Sequence, residues 1–225
     1  MNKKSCVVLF ARYPEKGEIK SRLATVYDPD FITGLYQNFV NDILEMLQGR
    51  GLPFCIAFHP PGKENAMRRI FGKENAYIPQ EGMDLGERMK NVFIRCFSKG
   101  FESVVLIGSD IPDLPGEMPE EALNSLEEQD VTIGPSGDGG YYLIGFTKET
   151  FTPAVFEGIA WGTDTVLGET LKILNAESRT VHILPEWNDI DTPDDLREFM
   201  RRNERTGLSH SRTMSYLAET NFKEG

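Results

Sequence analysis

A chain of 225 residues is long enough for one domain to bury a substantial core without a disulfide or a structural metal. Its net charge of −11, from 24 lysines and arginines against 35 aspartates and glutamates, argues against nucleic acid and anionic membranes as partners. Cys6, Cys55 and Cys96 are odd in number, far apart and each inside an apolar run, which predicts buried thiols in a reducing compartment rather than a zinc site.

The opening run Cys6 to Ala11 reads as a strand covered on both faces, too short for a secretion signal. No apolar stretch nears the about 20 residues that a membrane helix needs, so a cytoplasmic protein is expected. After Asp28-Pro29, an N-cap followed by proline, apolar residues at Ile32, Leu35, Tyr36, Phe39, Val40, Ile43 and Leu47 predict an amphipathic helix. Phe54 to Phe58 is a second strand, Glu64 to Ile70 a short helix, Leu85 to Phe97 a longer one and Ser103 to Ile107 a third strand. Glu117 to Gln129 follows as a helix, with strands at Val131 to Gly134 and Tyr141 to Phe146 around a glycine-rich turn. Thr163 to Asn175 is helical in pattern, Thr180 to Leu184 a strand, and Thr192-Pro193-Asp194-Asp195 opens a last clear helix. This alternation predicts a single-domain α/β fold with a mostly parallel central sheet and helices on both faces. The domain is expected over residues 1–203, and 204–225 is a polar tail, either a separate helix or partly disordered.

Ligands of open α/β sheets collect beyond the carboxyl ends of the strands. The loop after the first strand lies there, and its Arg12, Lys20 and Arg22 could hold a diphosphate, unless it is only a solvated loop. Leu106-Ile107-Gly108-Ser109-Asp110 ends a strand in a carboxylate beside glycine, a place suited to magnesium or manganese with phosphate oxygens; the plainer reading is a turn cap. Three glycines within Gly137-Asp138-Gly139-Gly140 allow a ligand close to the backbone, or else form a long hairpin with Asp138 as a turn residue. Asp191 could be a second metal ligand, with Asp194 and Asp195 capping the helix that follows. Trp161-Gly162-Thr163-Asp164-Thr165 is either a helix start capped by Thr163 or a loop over an acceptor that offers Asp164 as a base. His59, His182 and His210 are too scattered to form a metal cluster or a triad.

An ordered set of motifs then carries a likeness: Phe10-Ala11-Arg12 with Lys20 and Arg22-Leu23, Gln80 with Leu85-Gly86 and Arg88-Met89, Gly108-Ser109-Asp110, Asp138-Gly139-Gly140-Tyr141, Trp161 with Thr165, and Asp189-Ile190-Asp191-Thr192-Pro193. Over roughly residues 5 to 200 the chain resembles the GT-A nucleotide-diphospho-sugar transferase superfamily. It is more similar to a bacterial branch of small GT-A-like glycosyltransferases sometimes assigned to arsenosugar biosynthesis. The resemblance implies a nucleotide pocket from Ala11, Arg12, Lys20, Arg22, Gln80, Gly86, Arg88 and Ser109, and a Mg2+ or Mn2+ ion on Asp110. It further implies a sugar or acceptor loop of Gly139, Gly140, Tyr141 and Trp161, and Asp138 or Asp164 as catalytic base. The superfamily usually carries Asp-x-Asp where this chain has Gly108-Ser109-Asp110, which raises the importance of Asp191. Expected partners are a nucleoside-diphosphate sugar and a small-molecule acceptor; the related nucleotidyltransferases give the alternative of joining an NTP to a phosphorylated small molecule. A non-catalytic nucleotide-binding regulator is the reading from another class.

Overall fold

The computed structural model describes residues 4–220. Among the described residues seven strands, β1 (Ser5–Arg12), β2 (Phe54–His59), β3 (Tyr77–Pro79), β4 (Ser103–Gly108), β5 (Val131–Pro135), β6 (Tyr141–Thr147) and β7 (Val181–Ile183), form one sheet in the order β3-β2-β1-β4-β6-β5-β7. All neighbours pair in parallel except β6, which runs against both β4 and β5. Successive side chains of β1 go to opposite faces: Val7, Leu9 and Ala11 join one apolar cluster, Cys6 and Val8 the other. Both faces are therefore buried, which is why that strand reads as an unbroken apolar run.

The helices α1 (Pro29–Gly49), α2 (Glu64–Phe71), α3 (Leu85–Ser98), α4 (Glu117–Ser125), α5 (Val166–Ala176), α6 (Pro193–Asn203) and α7 (Arg212–Glu219) cover the sheet. Phe39 of α1 and Phe199 of α6 meet on one face, while Phe93 of α3 packs against Phe146, Phe151 and Phe156 on the other. One element is added and one expectation changes. The three-residue β3 lacks the length and alternation that would mark a strand, so the sequence does not announce it. Thr163 is not the N-cap of α5, which starts later at Val166 after Thr165; Thr163 instead bonds the Ala160 carbonyl and the Thr165 hydroxyl.

The tail, described to residue 220, docks on α1. Asp42 accepts the backbone amides of Arg212 and Thr213 at 2.8 and 2.9 Å, so a carboxylate of one helix caps the positive end of another. Tyr216 lies over Gly34, where a Cβ would stand 2.4 Å from its hydroxyl.

Topology decides where chemistry gathers. Because β1, β2, β3, β4, β5 and β7 all point the same way, Arg12, His59, Gln80 and the residues after Gly108, Pro135 and Ile183 share one sheet edge. The antiparallel β6 begins at that edge, since Leu143 pairs with Ile107, so the glycine-rich turn is there too.

Candidate functional site

A cleft of about 550 Å³ opens along this edge and is lined by Arg12, Lys20, Arg22, Gln80, Arg88, Ser109, Asp110, Tyr141 and Asp191. Nine predicted residues thus face one space. At its acidic end Lys20 enters from the β1–α1 loop in a left-handed conformation, φ +49°, which costs a side-chain-bearing residue about 1 kcal/mol. Its buried ammonium lies 2.6 Å from Asp110 Oδ1 and 2.8 Å from Asp191 Oδ1, and donates to the Ile190 carbonyl at 2.7 Å. Asp191 comes within reach because the Ile190 amide donates to the Asp110 carbonyl at 2.9 Å, which ties the segment after β7 to the end of β4. Burial alone would draw the Lys20 pKa down; the two carboxylates outweigh it and hold the ammonium charged. Burial would likewise raise Asp191, but Lys20 and, further out, Arg22 keep it below its ordinary value. Arg22 itself stands on the rim, 3.9 Å from Asp191.

At the other end the balance reverses. Arg12 and Arg88 line the cleft, and among the described residues neither forms an ion pair; Arg88 Nε only donates to the Asp84 carbonyl. Burial and the charge of Arg12 lower the Arg88 pKa, with Asp84 a partial offset. His59, whose backbone pairs with Arg12 across β1 and β2, is likewise held below its usual value by burial, Arg88 and Arg12. Two guanidiniums that line one cleft and form no ion pair, in a protein of charge −11, suit an anion.

Between the ends, several residues serve as framework. The Arg12 amide donates to the Tyr36 hydroxyl at 2.9 Å, and that hydroxyl bonds Ser109 Oγ at 2.9 Å, so α1 laces the ends of β1 and β4 together. Burial and the charge of Asp110 push Tyr36 up to about 12, so it keeps its proton. Gln80 donates to the carbonyls of Ala11 and Ala57, closing the ends of β1 and β2. Ala11 is wholly buried with its carbonyl so engaged. Gly86 is a packing position: a Cβ there would stand 2.2 Å from the Phe156 carbonyl and 2.6 Å from Trp161 Nε1. Trp161 meets Tyr141 edge-on, 6.4 Å between centroids.

Neither Asp138 nor Asp164 lines the cleft. Asp138 Oδ1 accepts Ser136 Oγ at 2.5 Å and the Gly140 amide at 3.0 Å, the pattern of a turn residue within the β5–β6 hairpin. Gly139, at φ +86°, presses on Asp164, whose carbonyl oxygen would be 2.2 Å from an added Cβ, and the Gly139 carbonyl receives the Leu167 amide. The 137–140 turn therefore braces the 161–165 loop. Two residues that sequence reasoning did not single out matter here. Tyr36 gave no signal beyond a core position of an amphipathic helix. Asp189 was visible only as part of a motif, yet burial and then Asp110, against the partial relief of Lys20, push it up to about 7, with Asp191 and Asp138 adding to the rise.

Among the described residues no group of three His, Cys, Asp or Glu stands close enough to hold a metal ion by itself. Asp110 Oδ1 is nevertheless buried without a hydrogen-bond donor in line with it, its close neighbour being the Lys20 ammonium. Two carboxylates that leave the remaining ligands to water and phosphate oxygens fit the habits of Mg2+. The residues present suit a divalent ion completed by a ligand, and not a closed protein cage.

The family model described as "Uncharacterized protein conserved in bacteria (DUF2064)" matches residues 43–163. The chain belongs to this family. A crystal structure from Desulfovibrio desulfuricans G20, named a "putative nucleotide-diphospho-sugar transferase", superposes with a TM-score of 0.93 at 40% identity, over 97% of this chain and 96% of that one. The inositol-1-phosphate CTP transferase of T. maritima aligns at a TM-score of 0.55 and 16% identity, over 90% of this chain and 97% of that one. Rv0371C of Mycobacterium tuberculosis H37Rv in complex with manganese aligns at 0.54 and 15%, over 89% of this chain and all of that one. At such identities the last two share the fold. No curated protein matches the chain. The nucleotide-diphospho-sugar transferase fold expected from the sequence is the fold observed.

Proposed function

We propose that the protein is a metal-dependent glycosyltransferase that takes its sugar from a nucleoside-diphosphate donor and passes it to a small-molecule acceptor. One observation carries the reading: a carboxylate pair and two unpaired guanidiniums face each other across one cleft, a layout that offers a cation and an anion subsite to a single diphosphate. Held by Asp110 and Asp191, Mg2+ or Mn2+ would supply neutralisation of the charge that develops on the diphosphate leaving group. Arg12 and Arg88, with Arg22 at the rim, bind the phosphates, and Ser109 and Gln80 shape the floor. Tyr141, which lines the cleft on the side where β6 begins and is met edge-on by Trp161, offers a ring suited to the apolar face of a sugar. The relative at 40% identity named for nucleotide-diphospho-sugar transfer supports this choice.

Nucleotidyl transfer is favoured by a different observation. Neither carboxylate proposed as catalytic base lines the cleft, and a phosphorylated acceptor, already ionised, needs none. The test is product identity. With manganese and a panel of nucleotide-sugars, release of nucleoside diphosphate is expected. Pyrophosphate from NTP plus sugar phosphates would replace this reading by the second, and silence in both assays would leave a nucleotide-binding regulator. Melting curves with nucleoside diphosphates should show larger shifts with manganese than without it.

A further inference from the structure

Lys20 and a divalent cation lay claim to the same oxygens. The ammonium lies within 2.6 to 2.8 Å of Asp110 Oδ1, Asp191 Oδ1 and the Ile190 carbonyl, donating to the last two and paired by charge with the first. In that position its side chain is only 5% exposed and its charge is met by two carboxylates, which keeps it from a phosphate. A Mg2+ ion bridging the same two carboxylates would need their oxygens at about 2.1 Å, and the nitrogen stands where the ion would be. Lys20 cannot hold a phosphate, nor Asp110 and Asp191 share a cation, while this arrangement lasts.

We propose that the Lys20 ammonium and a divalent cation are alternative occupants of the Asp110–Asp191 pair, the lysine acting as resident counter-ion until the cation displaces it. The need for a resident is electrostatic. Asp189 and Asp138 add to the field at this end, and without a cation the cluster would repel itself. The local backbone is consistent with a side chain held in place for function, since Lys20 is one of two described non-glycine residues with positive φ. The displaced ammonium remains tethered at the cleft, where it becomes a donor for an incoming anion. If the ligand is a nucleoside diphosphate, which rests on the function proposed above, its phosphate draws Lys20 away from the carboxylates and raises affinity for the cation, and the cation raises affinity for the nucleotide equally.

The exchange is testable with manganese alone. In the wild-type protein, residue-resolved acetylation of lysines read by mass spectrometry should find Lys20 protected. Adding Mn2+ should raise its modification several-fold, while Lys16 and Lys63 on the surface stay unchanged. Electron paramagnetic resonance counts the bound ion in the same samples. Lys20→Met should bind Mn2+ about tenfold more tightly than wild type, and adding Asp110→Asn to Lys20→Met should abolish that gain. Lys20 that stays protected with Mn2+ bound, equal or weaker binding by Lys20→Met, or no bound Mn2+ in any variant would each overturn the exchange. No nucleotide enters these measurements, so they can fail while the transferase assays succeed, and the reverse.

Discussion

The two ends of the cleft solve opposite electrostatic problems. At the acidic end Lys20 sits between Asp110 and Asp191 as a counter-charge already in place. At the basic end Arg12 and Arg88 feel each other's charge, and among the described residues neither forms an ion pair. The paired end carries its own counter-charge until a cation takes its place; the unpaired end stores an unmet demand that a ligand can satisfy. Removing a group from the first should disturb arrangement or chemistry, whereas removing one from the second should disturb affinity alone.

The sharpest way to break this comparison lies behind the acidic end. Asp113 accepts from Arg202 at 2.6 and 2.9 Å, from Asn203 at 2.7 Å and from Trp187 at 3.1 Å, which clamps the loop after Asp110 to α6. Asp113→Ala removes the acceptor shared by all three, so stability should fall by about 3 kcal/mol, the lower part of the usual range because Arg202 is 30% exposed and Asn203 keeps its bond to the Phe199 carbonyl. Thermal unfolding measures it. A melting temperature within a degree or so of wild type would mean that the acidic end is not held from behind.

Next in size is Asp110→Asn, which keeps shape and removes charge. Turnover should fall by about 10²–10³-fold, with little change in melting temperature, because Asp191 still pairs with Lys20. A variant that keeps its turnover but melts early would make Asp110 a turn cap. Arg88→Ala should act differently: loss of one charge-assisted contact of roughly 1.5–3 kcal/mol raises KM or weakens nucleotide binding about tenfold or more. Stability should hold or rise slightly, since a like-charge neighbour is gone. Calorimetric titration with a nucleoside diphosphate decides it, and unchanged affinity would remove the anion subsite.

The sequence made the difference between the ends only partly visible. Strand ends are legible in apolar runs and glycines, so the residue pattern alone assigns Arg12, Lys20 and Asp110 to one sheet edge and offers Asp191 as a second metal ligand. Their pairing could not be read, because it depends on a backbone bond from Ile190 to Asp110 that joins segments far apart in sequence. Gly86 carries a motif yet touches no cleft, for a missing Cβ serves helix packing as well as ligand approach, and residue type alone does not separate the two. Asp138 similarly turned out to be bound within its own hairpin turn. Short β3 and the true start of α5 escaped because three residues show no period and neighbouring threonines offer several caps.

The smallest effect belongs to the tail, which lies outside both ends. Asp42 accepts two amides at the start of α7, so Asp42→Ala should cost about 1 kcal/mol, as loss of a helix cap does. Turnover should be unchanged, and limited proteolysis should find new cleavage between residues 204 and 211. Ionisation makes the point finer. Burial raises the Asp42 pKa above its ordinary value of 3.8, against the pull of the Thr213 and Arg212 hydrogen bonds. A raised folded-state pKa means that a proton favours the folded form. That contribution is fully present below 3.8 and is lost as pH rises through the folded value. Asp42→Asn cannot take up the proton. The melting temperature of wild type relative to Asp42→Asn should therefore climb as pH falls from about 7 toward about 4. A difference that is flat with pH, or that shrinks in acid, would show that the carboxylate docks the tail as a fully stabilised anion. In that case α7 would belong, with Asp110 and Asp191, to the parts of the molecule whose charges the fold has already balanced.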